Sequence, residues 1–261
     1  MHRFTTLALA SVFFALPCAG LAQAMVVLED DFSNNANGPL DGVAPDTGIT
    51  GVNWAADAII SGGLLAPDAT DPTGADNARY DIESELFPTA IITIETTVDV
   101  VGKGTAWIGL ARASFDGDMR DFGDTDVLGG LFGSGSSTFN TNNPANDPRA
   151  TNVFFNSFAD PDDPTSPLDV TMTYNLATGE TTFFASYDTA SGPSSASWSG
   201  NVLPTGGSTL FPPDEIGTFF LQTDGAATFE DVRVTIVPEP GSLALAALGA
   251  AAMLRRPGRR A

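Results

Sequence analysis

The chain has 261 residues and a formal net charge of −21 at pH 7, with 11 Lys and Arg against 32 Asp and Glu. Its one cysteine, Cys18, and its one histidine, His2, both precede residue 25, so the chain beyond them excludes a disulfide framework, a thiol nucleophile, a Ser-His-Asp triad and a histidine metal centre. An acidic balance of this size also repels phosphate backbones and anionic lipid surfaces, which excludes nucleic acid as a partner and makes divalent cations natural counterions.

Residues 1–24 carry a basic start (His2, Arg3), an apolar run over 7–16 and the small-x-small site Ala22-Gln23-Ala24. This is the pattern of a secretory signal peptide, with signal peptidase cutting before Met25. Pro17 stands before Cys18, where a lipobox needs Gly, Ala or Ser, so lipidation is not expected. The body, 25–237, has the length of one β-sandwich or barrel domain. With Glu239 set aside, 31 of the 32 acidic residues lie in it, against only Arg79, Lys103, Arg112, Arg120, Arg149 and Arg233.

Within the body, apolar residues cluster in short runs with a period of two. In chain order they predict strands over 26–28, 58–65, 78–82, 92–100, 105–111, 127–132, 151–155, 170–176, 181–187, 217–222 and 228–236. In the fourth run Ile92, Ile94, Val98 and Val100 take one face while Thr93, Glu95, Thr97 and Asp99 take the other. The eighth and ninth runs are joined by Ala177-Thr178-Gly179-Glu180, a hairpin turn in which Gly179 supplies positive φ. No interior segment holds helical spacing over three turns. Many short strands with Gly-, Asp- and Pro-rich connections predict an all-β fold, an antiparallel β-sandwich.

Several pieces carry a resemblance: the opening Glu29-Asp30-Asp31-Phe32-Ser33, Leu40-Asp41-Gly42, Trp54, the hairpin at Asn175 to Gly179, and the closing Phe229-Glu230-Asp231-Val232-Arg233-Val234. Together they resemble the laminin-G/concanavalin A-like jelly rolls. The resemblance implies that the first and last strands lie side by side, which would bring the acids near residue 30 close to Asp231. It also implies a structural calcium near the paired termini, for which Glu29, Asp30, Asp31 and Asp231 are the candidate ligands. Hard Ca²⁺ takes six to eight oxygens in irregular geometry, and the competing reading is that alternate acids on an edge strand face water.

Other groups invite a chemical reading. Asp116, Asp118, Asp121, Asp124 and Asp126 surround Arg120, but the spacing lacks the glycine and glutamate of an EF-hand and fits a solvated loop. Asp160, Asp162 and Asp163 fit a turn. Trp54 and Trp198 are candidate glycan contacts, since sugar C–H faces pack on indoles, while Trp107 inside an apolar run fits the core. The Ser/Thr-rich stretches 134–138 and 191–199 are candidate sites for attached glycans. Asp81, Glu83 and Glu85 alternate as if along one strand, where paired carboxylates would serve a glycosidase. Their order and spacing depart from the Glu-x-Asp-x-x-Glu of jelly-roll glycosidases, and no catalysis is expected.

At the C-terminus, Val237-Pro238-Glu239-Pro240 precedes an apolar stretch over 241–254 and then Arg255, Arg256, Arg259 and Arg260. The prolines keep Glu239 extended. The apolar stretch is shorter than the roughly 17 to 25 residues of a stable membrane span, and the arginines would stay cytoplasmic by the positive-inside rule. Motif, stretch and basic end resemble the PEP-CTERM sorting signal of bacterial exported proteins; the competing reading is an ordinary tail anchor. The resemblance implies recognition by a membrane-embedded exosortase, transient residence of 241–254 in the inner membrane, cleavage near Pro238-Glu239-Pro240, and delivery to the cell surface or polymer matrix. The expectation is a non-catalytic surface or matrix protein with extracellular polysaccharide as its partner, the alternatives being a carbohydrate-binding lectin-like module and, behind it, a glycosidase.

Overall fold

A computed structural model describes residues 23–68, 70, 75–100, 104–112, 127–133, 136–140, 153–156, 164–201 and 216–238. The segments read as signal peptide (1–22) and as the body of the sorting signal (239–261), and the loops holding Asp116 to Asp126 and Asp160 to Asp163, lie outside the described residues.

The strands run in chain order as β1 (Met25–Asp30), β2 (Gly38–Pro39), β3 (Thr47–Gly48), β4 (Ala55–Ala56), β5 (Ile59–Ser61), β6 (Leu64–Ala66), β7 (Ala75–Asp81), β8 (Ala90–Asp99) and β9 (Gly104–Arg112). There follow β10 (Val127–Gly133), β11 (Ser136–Asn140), β12 (Val153–Asn156), β13 (Leu168–Asn175), β14 (Glu180–Thr189), β15 (Gly192–Asn201), β16 (Ile216–Gly225) and β17 (Thr228–Pro238). The one helical element among the described residues is a 3₁₀ turn, Glu83–Glu85.

They form two antiparallel sheets. One, of ten strands, has the order β15-β14-β13-β8-β17-β6-β5-β2, with β1 also paired to β17 and β3 paired to β1. The other, of seven, has the order β12-β11-β10-β9-β16-β7-β4. The expected all-β sandwich is thus observed, as is the expected adjacency of first and last strands. Alternation drives the packing: along β8, Ile92, Ile94 and Val98 are buried while Glu95 is exposed, and β13 and β14 repeat the pattern with Val170, Met172, Tyr174, Phe183 and Ala185 inside. These side chains meet Ile108, Leu110, Phe132, Phe219 and Leu221 of the facing sheet in one core. Phe183 and Phe132 touch across the two sheets with ring centroids 5.2 Å apart.

Three expectations about elements change. The run over 58–65 is two strands, because Gly62 and Gly63 take φ 65° and 80° and turn the chain between β5 and β6. The Ser-rich stretches β11 and β15 are strands as well. Asp81, Glu83 and Glu85 do not share a strand face: β7 ends at Asp81, whose carboxylate accepts the Glu83 amide at 2.9 Å, and the chain then enters the 3₁₀ turn.

Candidate functional site

The site is built where β1 ends. A β-bulge between Val26 and Leu28 places the neighbours Val27 and Leu28 both in the core, which turns Glu29 outward and Asp30 inward. Asp30 is only 1% exposed, and its carboxylate accepts hydrogen bonds from the loop that follows and from Trp54. Oδ1 accepts the Phe32 amide at 2.8 Å and the Asn35 side-chain amide at 3.4 Å; Oδ2 accepts the Trp54 indole N–H at 2.8 Å. Asp31 Oδ1 accepts the amide and hydroxyl of Ser33 at 2.9 and 2.7 Å. Asp46, just before β3, accepts the Asp31 amide on Oδ2 at 3.2 Å and the Asn34 side-chain amide on Oδ1 at 3.1 Å. Asp30, Asp31 and Asp46 each bring a carboxylate oxygen within 4.8 Å of the others.

The electrostatics follow from this packing. Burial raises the Asp30 pKa, opposed by the hydrogen bonds from Trp54 and Phe32 and reinforced by the negative charges of Asp46 and Asp31. Asp31, at the surface, is held below the usual carboxylate range by the Ser33 hydroxyl and amide. Three converging carboxylates form a donor set suited to a hard divalent ion.

The cluster borders a groove of about 610 Å³ on the outer face of the ten-stranded sheet. Glu29, Asp30, Asp31, Asp46, Glu95, Asp169 and Asp231 all line it, with Arg233. Of the four ligands expected from sequence, Asp30 and Asp31 come together, while Glu29 and Asp231 lie elsewhere in the groove. Glu29 stands in register with Arg233 and Thr47. Asp231, displaced by a bulge in β17, accepts the Thr97 amide at 2.7 Å. Asp46 takes their place in the cluster. Its sequence signal was weak, since nothing in Pro45-Asp46-Thr47 marks it before the β1–β3 pairing carries it to Asp31.

Trp54 is corrected as a glycan contact. It is 1% exposed, its N–H is held by Asp30, and its ring packs edge-on against Tyr80 at 5.5 Å. Trp107 is buried, as expected, but on the face of β9 away from the main core, beside the buried Phe220 and Gln222 of β16. That face of the seven-stranded sheet presents no exposed aromatic platform among the described residues. Trp198 pairs through its backbone with Phe183, and its side chain lies outside the described residues. Val237 and Pro238 are the last residues of β17, paired with Ile91 and Ala90. Glu239, Pro240, Arg255, Arg256, Arg259 and Arg260 lie outside the described residues, as does the stretch 241–254. Among the described residues no helix is long and apolar enough to cross a membrane.

Residues 237–260 match the PEP-CTERM protein-sorting motif. No curated protein matches the sequence. Among solved structures, the winged bean acidic lectin complexed with methyl-α-D-galactose superposes with a TM-score of 0.51 at 12% identity, covering 82% of this chain and 98% of that one. The basic winged bean lectin with Tn-antigen covers 83% and 100% at 9% identity with a TM-score of 0.49. Lectin I from Ulex europaeus, in complex with the methyl glycoside of α-L-fucose, covers 82% and 98% at 12% identity with a TM-score of 0.47. The first of these carries the likeness, and at such identities the likeness concerns the fold: this chain is a legume-lectin-like jelly-roll sandwich ending in an exosortase sorting motif, which implies export to the surface or beyond.

Proposed function

We propose that the protein works, after removal of both terminal segments, as a non-catalytic component of the cell surface or extracellular polysaccharide matrix, its sandwich stabilised by calcium at Asp30, Asp31 and Asp46. The observation that carries this reading is the sorting motif, contiguous with the last residues of β17. A folded, acidic sandwich is thereby addressed to a polymer-filled exterior in which divalent cations are the natural counterions. The carboxylate cluster supports the calcium part: Asp31 and Asp46 present oxygens from a loop that Asp30 anchors internally, and an ion there relieves the repulsion among all three. Calcium would supply charge neutralisation and loop rigidity, not chemistry. Asp81, Glu83 and Glu85 do not form the carboxylate arrangement of a glycosidase, which favours the non-catalytic reading.

The test is fractionation of bacteria that carry an exosortase and express the full chain. Recovery of a shortened protein in the surface or matrix fraction is expected, and retention of the full-length chain inside the cells, with residues 239–261 uncut, would overturn the reading.

A further inference from the structure

The outer face of the ten-stranded sheet carries rows of side chains aligned across five strands without interruption. One row is Thr235, Thr93, Thr173, Thr182 and Ser199, contributed by β17, β8, β13, β14 and β15. The next is Arg233, Glu95, Thr171, Phe184 and Ser197, and the third is Asp231, Thr97, Asp169, Ser186 and Ser195. The charges in these rows stop at β13. Beyond it these three rows carry hydroxyls and no charge, which returns only towards the ends of β14 in Glu180 and Asp188, and at their centre stands Phe184, 45% exposed. Every other outward position of β14 is polar, and a phenyl ring left this open adds little burial energy to the fold.

We propose that this face, centred on Phe184, is the docking surface for a neutral, extended polysaccharide. An aromatic face flanked by hydroxyls matches the alternation of C–H patches and hydroxyls on a sugar ring, the ring stacking on Phe184 while Thr171 and Ser197 on either side exchange hydrogen bonds. Charge selects neutral over acidic polymers, because Glu180, Asp188 and the seven carboxylates of the groove lie on or beside the face and, among the described residues lining the groove, only Arg233 opposes them. The surface is continuous with the groove, since Asp169 and Thr171 belong to both. The inference rests on the reading of the protein as a surface or matrix component and names the partner's chemistry and its footprint.

The experiment is affinity electrophoresis of the exported protein through gels containing dextran, laminarin or xyloglucan, with alginate as the polyanionic control. Retardation by at least one neutral glycan is expected, with Phe184→Trp retained and Phe184→Ser weakened roughly three- to tenfold. Unchanged melting of Phe184→Ser would separate a lost contact from a lost fold. Migration unaffected by all three neutral glycans, or retardation equal in Phe184→Ser, would overturn the proposal while leaving the surface role standing. Light scattering completes the test: a dimer that Phe184→Ser dissolves would assign the face to a second copy of the chain and also overturn it.

Discussion

Asp30 shows how one side chain can be structural and electrostatic at once. Its two oxygens hold three donors, among them the amide of Phe32, a non-glycine residue held at φ 54°. That left-handed conformation costs on the order of 1–2 kcal/mol and persists because the Phe32 ring is wholly buried and its amide is bonded. Asp30→Asn should destabilise the protein by about 1–3 kcal/mol in denaturant unfolding, because an amide offers one acceptor oxygen where Phe32 and Trp54 need two. The pH dependence has a definite sign. A folded pKa raised above 3.8 makes the contribution of Asp30 fully present below 3.8 and lost as pH rises through its folded value, whereas the lowered Asp31 contributes above 3.8 and loses that contribution as pH falls through its own. In the absence of calcium, the stability advantage of wild type over Asp30→Asn should therefore shrink as pH rises from below 3.8 towards neutrality; an advantage that grows instead would refute the assigned direction. Tyr174 is a separate case. Burial raises its pKa, and its hydroxyl has no hydrogen-bond partner among the described residues. Tyr174→Phe should melt no lower than wild type and gain up to about 1 kcal/mol.

Among the elements, close approach of the two sheets depends on a missing side chain. A Cβ at Gly130 of β10 would enter the ring of Phe183 from the opposite sheet, the same ring that packs on Phe132. Gly130→Ala should cost about 1–3 kcal/mol by urea unfolding, and a neutral result would mean that the sheets can separate locally without loss. Most strands were legible because their buried and exposed positions alternate, as in β8, β13 and β14. β15 was not, since Ser195, Ser197 and Ser199 sit outward on a strand whose hydrophobic period is thin. The bulge in β1 was equally hidden: alternation through Val26, Val27 and Leu28 gives no hint that two adjacent residues point inward, yet that phase change sets which acid faces the core.

For the molecule as a whole, the pairing of β1 with β17 brings Met25 opposite Ile236, so the junctions expected for signal peptidase and for the exosortase stand at one end of the sheet. The same pairing puts Asp231 into the groove with the carboxylate cluster. If calcium binds the cluster, its addition at about a hundredfold above Kd should stabilise the exported protein by about 2.7 kcal/mol. Asp46→Asn should remove most of that gain in a melting experiment with and without chelator, while Asp231→Asn retains it. Equal loss in both variants would move the ion to the wider groove.

The sequence by itself determined the address, the acidic character, the absence of histidine and thiol chemistry beyond the first residues, and the all-β class. Each of these is local, fixed by composition, by a contiguous motif or by the period of two along a strand. Only the tertiary structure decided which residues meet. Asp46 joins Asp30 and Asp31 through the β1–β3 pairing, Trp54 goes inside because Asp30 holds its indole, and Phe184 stays out because its strand has a lined core on one side and open hydroxyl rows on the other. Such juxtapositions depend on register between segments distant in the chain, and a single bulge is enough to change them.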